Sequence, residues 1–208
     1  MRYRKNITIV VAVLATCLLT LSPPAVRAGV PTDQVRQTAD RVLSVLQDSR
    51  LKSADKQRER REQLREIIAS RFDFPEMAKR SLGSNWQKGN SDEQRQFVEL
   101  FTELLEKSYA DQIESYDGEK IVYGRENVNQ DHADVDTKIV TKKGEQISVS
   151  YKLRSASGDW KVYDVVIENI SLVNNFRSQF NRILTNASFA DLLKKLQSKS
   201  VEIKPVRS

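Results

Sequence analysis

The stretch HADVDTKIVTKKGEQISVSYKLRSASGDWKVYDVVIE, residues 132–168, decides the fold of this chain. Apolar and polar residues alternate along it, and a period of two is typical of β-strands that have one buried face. Lys143-Gly144 and Ser157-Gly158-Asp159 interrupt the alternation with short turn sequences, which join antiparallel neighbours. The stretch therefore predicts three strands of an antiparallel meander.

With the segment before it, this stretch predicts four strands, at residues 120–128, 132–141, 146–154 and 160–168. The second and third strands each have one apolar face, made of Ala133, Val135, Thr137 and Ile139 and of Ile147, Val149, Tyr151 and Leu153. The fourth strand has apolar residues on both faces, which predicts that both of its faces are covered. The sheet therefore needs a second layer of structure.

Apolar residues at helical spacing surround the strands and supply that layer. Helices are predicted at residues 33–48, 54–70, 91–116, 171–184 and 189–198. Asp33 and Ser91 are the predicted caps of the first and the longest helix, and a short helix is predicted between the cap Asp73 and the stop signal Gly83. The order of elements predicts the α+β class, with residues 201–208 frayed.

The longest predicted helix carries a continuous apolar stripe, because its members are three or four residues apart. These members are Phe97, Phe101, Leu104, Leu105, Tyr109, Ile113 and Tyr116. A later apolar group consists of Leu172, Val173, Phe176, Phe180, Ile183 and Leu184. Together with the sheet these faces either close an ordinary core or line a cavity inside one. Ordinary core is the simpler interpretation, because every amphipathic element needs a partner.

The N-terminus has the pattern of a secretory signal. Three basic residues among the first five precede an apolar run at residues 7–21, and Val26 and Ala28 occupy the positions that signal peptidases recognise. We predict that residues 1–28 are cleaved off and that residues 29–208 form one domain in the periplasm. An uncleaved anchor is the alternative, although the run is shorter than the about twenty residues of a membrane span. Thr16 before Cys17 is a poor match to a lipoprotein box.

Removal of the signal changes the charge and the cysteine content of the chain. Four basic residues and no acidic residue leave with it, so the formal net charge falls from +6 to +2. A nucleic-acid partner therefore loses its main support, and none is predicted. The only cysteine, Cys17, is also lost. A mature chain without disulfides is common among bacterial periplasmic proteins.

Residues suited to catalysis or to metal binding are scarce in this sequence. His132 is the only histidine, so zinc has no plausible ligand set and the serines have no partner for a triad. Asp131, Asp134 and Asp136 lack the glycine and the glutamate of a calcium loop. The scattered glycines do not form a phosphate-binding loop. We therefore predict no enzyme activity, no metal and no cofactor.

Three segments resemble the MlaC-like family of periplasmic phospholipid-binding proteins, also called toluene-tolerance proteins. Residues 72–83 (FDFPEMAKRSLG), followed by Trp86, resemble the opening signature of the family. The helix that follows in the family is matched by Gln94, Phe97, Phe101, Leu104, Leu105 and Tyr109. Residues 160–168 (WKVYDVVIE), 170–172 (ISL) and 175–180 (NFRSQF) resemble its closing signature. Asn169 stands where a glycine is usual, and Phe176 stands where a tyrosine is usual.

This resemblance implies a fold, a function and partners. The fold is a twisted antiparallel sheet of four to five strands, wrapped by helices, with an apolar pocket between the two layers. The function is that of a soluble shuttle, which encloses the acyl chains of a glycerophospholipid and maintains the lipid asymmetry of the outer membrane. The partners are an inner-membrane ABC transporter complex with its membrane-anchored lipid-binding subunit, and an outer-membrane lipoprotein–porin complex.

Candidate pocket residues follow from the apolar stripes and from the family's arrangement of layers. The predicted acyl-chain lining consists of Phe101, Leu105, Tyr109, Val149, Tyr151, Val162, Leu172, Val173 and Phe176. Asp164 is predicted to bond to nearby backbone or to Arg177, since buried polar groups are hydrogen-bonded. Lys79 and Arg80 either meet a headgroup or a partner or form solvated surface.

Three other functions remain open at this point. If its apolar faces serve only as core, the protein is a periplasmic adaptor that carries no lipid. It carries another apolar molecule, such as a hopanoid, if the pocket exists but the cargo differs. It is an enzyme only if His132 or Asp164 performs the reaction.

Overall fold

The structure is a computed structural model and describes residues 30–156, 159–198 and 206. The predicted signal segment, its cleavage site, Cys17 and part of the turn at 157–158 lie outside the described residues. Six helices are found in the described part: α1 (Val30–Gln47), α2 (Gln57–Arg71), α3 (Phe74–Leu82), α4 (Ser91–Glu114), α5 (Leu172–Leu184) and α6 (Phe189–Gln197). The strands are β1 (Lys120–Asn129), β2 (His132–Val140), β3 (Gln146–Ala156), β4 (Asp159–Ile167) and β5 (Ile170–Ser171).

The five strands form one antiparallel sheet in the order β1-β2-β3-β4-β5. The predicted α+β class and the predicted antiparallel meander are therefore confirmed. β5 was not predicted, because two residues are too few to show an alternation. A two-residue turn joins it to β4, and both turn residues, Glu168 and Asn169, have positive φ angles of 46° and 65°. Asparagine tolerates this conformation well, so Asn169 preserves the turn without a glycine.

A β-bulge in β4 overturns the prediction that the apolar residues of this strand are divided between both faces. Lys152 of β3 pairs with Asp164, whereas the next residue, Leu153, pairs with Val162, so Tyr163 is an extra residue on β4. The extra residue shifts the alternation by one position. The apolar residues Trp160, Val162, Val165 and Ile167 therefore pack on the same face of the sheet. We call this the inner face.

Helix caps account for where the helices begin and end. Asp73 Oδ1 accepts a hydrogen bond of 3.0 Å from the Glu76 amide, and Gly83, with a φ of 56°, ends α3, as predicted. The predicted cap Ser91 is wrong by one residue, because the Asn90 side chain caps α4 and forms a capping box with Glu93. The predicted cap Asp33 is also wrong, because it lies in the first turn of α1.

Helix α1 lies across the inner face of the sheet and is fixed at two points. Thr32, in its first turn, donates its amide and its hydroxyl to a carboxylate oxygen of Glu126 on β1, at 2.8 and 2.6 Å. The Arg71 guanidinium at the end of α2 donates to Gln34 Oε1 and to the Trp160 carbonyl oxygen, both at 2.6 Å. These contacts join the helical layer to the first and fourth strands.

Candidate functional site

The residues predicted to line a pocket belong to two apolar clusters or pack against them. The helical cluster is made of Met77, Ala78, Leu82, Phe97, Phe101, Leu105, Val173, Phe176, Phe180, Phe189, Leu192, Leu193 and Leu196. The sheet-face cluster is made of Val35, Ala133, Val135, Val149, Leu153, Trp160, Val162, Val165, Leu172 and Val206. Phe72 and Tyr109 pack against both clusters and connect them.

The helical cluster is closely packed around phenylalanine rings. Phe97, Phe101, Phe176 and Phe180 are each 0% exposed. The Phe101 and Phe176 rings meet edge to face with their centroids 5.3 Å apart, and Phe97 and Phe180 do so at 5.4 Å. These separations are those of aromatic rings in contact. Four of the predicted lining residues, Phe101, Leu105, Val173 and Phe176, thus contact protein inside this cluster.

Phe176 stands where the family usually has a tyrosine, and its surroundings explain why a phenylalanine suits this position. Its ring lies inside the helical cluster, stacked on Phe180 at 5.9 Å, and is fully buried. Phenylalanine suits this environment, because a buried hydroxyl there would require a hydrogen-bond partner.

The sheet-face cluster is filled at one end and partly open at the other. Ala133, Leu153 and Val162, which lie side by side on β2, β3 and β4, are at most 3% exposed. At the opposite end of the same strands, Ile139 and Ile147 pair with each other and remain partly exposed. The inner face of the sheet is therefore mostly apolar and is covered only in part.

Tyr151 lies between these two ends. It is deep in the protein, where burial raises the pKa of its hydroxyl, and yet its side chain retains intermediate accessibility. Tyr151 is therefore partly accessible on the inner face of the sheet. The predicted residues Tyr109, Val149, Tyr151, Val162 and Leu172 all belong to or contact this cluster.

Val206, near the end of the chain, reaches the same cluster. It is 5% exposed, and its amide donates a 3.0 Å hydrogen bond to the Tyr109 hydroxyl oxygen on α4. Burial raises the pKa of that hydroxyl. The prediction that residues 201–208 fray is therefore wrong at position 206. A single valine in a polar tail has no periodicity, so the sequence offered no signal for this contact.

Tyr123 on β1 has an unusual environment at the edge of the sheet-face cluster. Its hydroxyl is buried and has no hydrogen-bond partner within the described residues. Burial, together with the nearby Tyr151 and Asp40, raises the pKa of Tyr123 to about 12, although Arg36 acts in the opposite direction. The Arg36 guanidinium lies 4.5 Å from the centroid of the ring. Tyr123 was not among the predicted lining residues, because the strand around it alternates weakly.

The polar candidates of the sequence have structural roles. Asp164 accepts hydrogen bonds from the Ser171 hydroxyl at 2.5 Å and from the Val173 amide at 3.1 Å, so it bonds to nearby backbone, which was one of the two predicted options. Arg177, the other option, instead donates to the Arg80 carbonyl oxygen at 2.8 Å. Asp164 therefore fixes the start of α5.

The remaining candidates lie on the outer face of the sheet or next to it. His132 contacts Asp131 at 2.8 Å, and its ring meets the Tyr163 ring edge to face. Arg80 stacks 4.1 Å from the centroid of the same tyrosine and pairs with Glu76 at 2.7 Å. Within the described residues there is no group of three acidic, histidine or cysteine side chains that could hold a metal ion. No helix among them has the length and apolar character needed to cross a membrane.

A surface depression with a volume of about 550 Å³ lies away from both clusters. It is mostly polar and is lined by Leu46, Gln47, Lys52, Arg60, Glu114, Tyr116, Asp117, Gly118 and Lys142. None of these residues belongs to the predicted lining. An acyl chain has little to gain from such a surface, since its transfer from water is favoured by apolar contact.

Comparisons with known proteins are consistent with this architecture. The sequence model of a family described as "MlaC protein" matches residues 36–198. A relative in Haemophilus influenzae, the "intermembrane phospholipid transport system binding protein MlaC", is 26% identical over 199 residues, covering 93% of this chain and 92% of the relative. The "toluene tolerance protein ttg2D" of Pseudomonas putida is 25% identical over 157 residues, covering 74% of this chain and 73% of that protein.

A solved structure has the same fold. It is that of a phospholipid-binding protein from Ralstonia solanacearum in complex with a phospholipid. The two structures superpose with a TM-score of 0.73 at 23% sequence identity, covering 81% of this chain and 96% of the other.

Proposed function

Because this chain belongs to the MlaC family, we propose that it is a phospholipid carrier that encloses acyl chains against the inner face of its sheet. The names of the two curated relatives refer to phospholipid transport and to toluene tolerance. The solved structure of the same fold holds a phospholipid. These likenesses support the class of cargo, and the sheet-face cluster supplies a place for it.

The observation that carries this proposal is the apolar, partly accessible inner face around Tyr151. Exposure of acyl chains to water costs about 0.8 kcal/mol per methylene, so two sixteen-carbon chains represent on the order of 20 kcal/mol. A carrier must therefore cover nearly the whole length of both chains. A hollow between two layers meets that requirement better than a charged surface groove does.

The lining that we propose extends over the sheet-face side of the predicted set. Tyr109, Val149, Tyr151, Val162 and Leu172 would contact the chains directly, together with the partly exposed Ile139, Ile147 and Ile167. Phe101, Leu105, Val173 and Phe176 would form the firm support behind them and would meet the chains only if the helical cluster separated.

The proposal extends to location and partners. Residues 1–28 would direct the chain to the periplasm and be removed there. The mature protein would exchange lipid with an inner-membrane ABC transporter complex, through its membrane-anchored lipid-binding subunit, and with an outer-membrane lipoprotein–porin complex. This exchange would maintain the asymmetry of the outer membrane. Neither His132 nor Asp164 is needed for such a task, and both already have structural partners.

Native mass spectrometry of the freshly purified mature chain tests this proposal. We expect a population heavier than the protein by the mass of a glycerophospholipid, which denaturation releases. Release of a hopanoid or another apolar molecule would change the cargo but keep the carrier. Recovery of empty protein that also fails to take up offered phospholipid would contradict the proposal and would favour the adaptor.

A further inference from the structure

We infer that the hydroxyls of Tyr123 and Tyr151 donate hydrogen bonds to the ester carbonyl oxygens of the bound glycerophospholipid. This inference rests on the proposed carrier function and adds a polar contact point to an otherwise apolar site. It concerns the part of the lipid where the fatty acids join the glycerol.

The two tyrosines stand on the inner face of the sheet, on either side of β2. Tyr123 on β1 pairs with Thr137 of β2, and Tyr151 on β3 pairs with Val135 two residues away on the same strand. Both rings pack against the sheet-face cluster. The Thr137 hydroxyl between them already donates to the Val149 carbonyl oxygen at 3.0 Å. The hydroxyls of the two tyrosines are therefore the hydrogen-bond donors that remain available in this region.

Neither phenol is satisfied by the protein. The Tyr123 hydroxyl is buried and has no partner within the described residues. The Tyr151 hydroxyl makes no hydrogen bond with the described residues, and Tyr151 remains partly accessible. Proteins pair nearly all of their buried polar groups, since an unpaired one destabilises the fold. The unpaired Tyr123 hydroxyl therefore indicates an acceptor that arrives with a ligand, and the partly accessible Tyr151 offers a second donor to the same ligand.

The protonation of the phenols fits an acceptor ligand. Burial raises the pKa of both, to about 12 for Tyr123, so both keep their protons at neutral pH and act as donors. An ester carbonyl oxygen accepts hydrogen bonds and donates none. The chemistry of the two groups is therefore complementary.

The position of Tyr123 fits the ester level of a lipid. Its ring contacts the guanidinium of Arg36, which is exposed on α1, while its hydroxyl lies in the interior. Asp40, one turn further along α1, adds a negative charge near the same ring. Tyr123 therefore spans the boundary between charged surface and apolar interior. The glycerol esters form the corresponding boundary in a phospholipid, between its charged headgroup and its acyl chains.

Ester-linked and ether-linked lipids provide a direct test. Affinity is measured for a diacyl phosphatidylglycerol and for its dialkyl ether analogue, which has the same headgroup and chain length but no ester carbonyl. We expect the unaltered mature protein to prefer the ester lipid by about five- to tenfold, which lies within the roughly two- to twelvefold range of a net hydrogen bond. Tyr123→Phe and Tyr151→Phe should each reduce the preference, and the double variant should abolish it. Tyr163→Phe, on the outer face, is the matched control and should retain it.

The other outcomes overturn the inference. Equal loss of affinity for both lipids would mean that the hydroxyls contact the phosphate or the headgroup. Unchanged affinities in the double variant would mean that they contact no lipid group. A lower melting temperature of the empty Tyr123→Phe variant would show that its hydroxyl is already satisfied in the empty protein. If the unaltered protein binds neither lipid, the proposed carrier function itself fails, which is a separate result.

Discussion

The helical cluster and the sheet-face cluster are built from the same kinds of apolar side chain and yet differ in how completely they are filled. Phe97, Phe101 and Phe180 contact one another ring to ring and have no accessible surface. On the sheet, Ile147 and Tyr151 keep part of their surface accessible although protein surrounds the tyrosine. The two clusters would therefore have different tasks: the first would stabilise the fold, and the second would hold the ligand that we propose.

The two clusters also differ in the tyrosines that lie beside them. Tyr123 and Tyr151 lie on the inner face of the sheet, and Tyr109 lies where the two clusters meet. The helical cluster itself contains only groups without a polar atom in their side chains, apart from the sulfur of Met77. Polar atoms placed in an apolar region are costly unless they find partners. The proposed ligand would supply such a partner to the hydroxyls of Tyr123 and Tyr151 on the sheet side.

The largest expected effect concerns truncation in the helical cluster. Phe101→Ala should lower the free energy of unfolding by about 3 to 5 kcal/mol, because it leaves a cavity in a closely packed region. Ile139→Ala on the sheet should cost only about 1 to 2 kcal/mol, because part of that side chain is already accessible. Chemical denaturation measures both. Equal losses would remove the distinction between the clusters.

Next in size is the effect of a charge on the inner face. Ile147→Asp should reduce phospholipid affinity by about tenfold or more, because a carboxylate beside an acyl chain loses hydration without gaining a partner. Ile147 is partly exposed, so the variant should still fold. Val122→Asp on the outer side of β1, where the valine is 50% exposed, is the matched control and should bind normally. Normal binding by a folded Ile147→Asp variant would exclude this position from the site.

Alkaline pH should affect the sheet side through its tyrosines. The folded-state pKa values of Tyr109, Tyr123 and Tyr151 lie above the value of about 10 that an unfolded chain has. The unfolded chain therefore loses these protons first, so stability should fall as pH rises from about 10 towards 12. Absorbance titration of the phenolates should show a late step near pH 12. That step should vanish in Tyr123→Phe; its persistence would contradict the assignment.

The smallest expected effect lies outside both clusters, at the turn before β5. Asn169 already adopts the positive φ that the turn requires. Asn169→Gly should therefore change the free energy of unfolding by less than about 1 kcal/mol, and lipid affinity should be unaffected. Thermal melting and a binding titration measure these two quantities. A large effect on binding would connect this turn to the site.

The strands and the helix caps show which parts of the fold could be predicted from the sequence. Strands β2 and β3 were predictable, because their alternation is strict and a lysine-glycine turn separates them. The bulge at Tyr163 was not, since an extra residue in an apolar strand imitates a strand buried on both faces. Asn90 and Ser91 are both good cap residues, so only the structure shows that Asn90 caps α4.

Whether a side chain packs against protein or borders an open space was harder to predict than the face on which it lies. Phe101 and Val149 are both apolar residues on an inward stripe, and periodicity gives only the direction in which they point. Whether a side chain meets another side chain or an empty space depends on contacts between distant elements, such as that between Tyr109 and Val206. The predicted lining therefore combined members of both clusters.

The most direct test of this account is crosslinking with a phospholipid that carries a photoreactive diazirine near the end of an acyl chain. After uptake by the mature protein and illumination, mass spectrometry of the digested chain locates the label. We expect it on peptides from β2, β3 and β4, at or beside Ile139, Ile147, Tyr151 and Ile167, and absent from Phe97 and Phe180. A label confined to the helical cluster, or spread evenly over the outer surface, would contradict the claim that the inner face of the sheet holds the lipid.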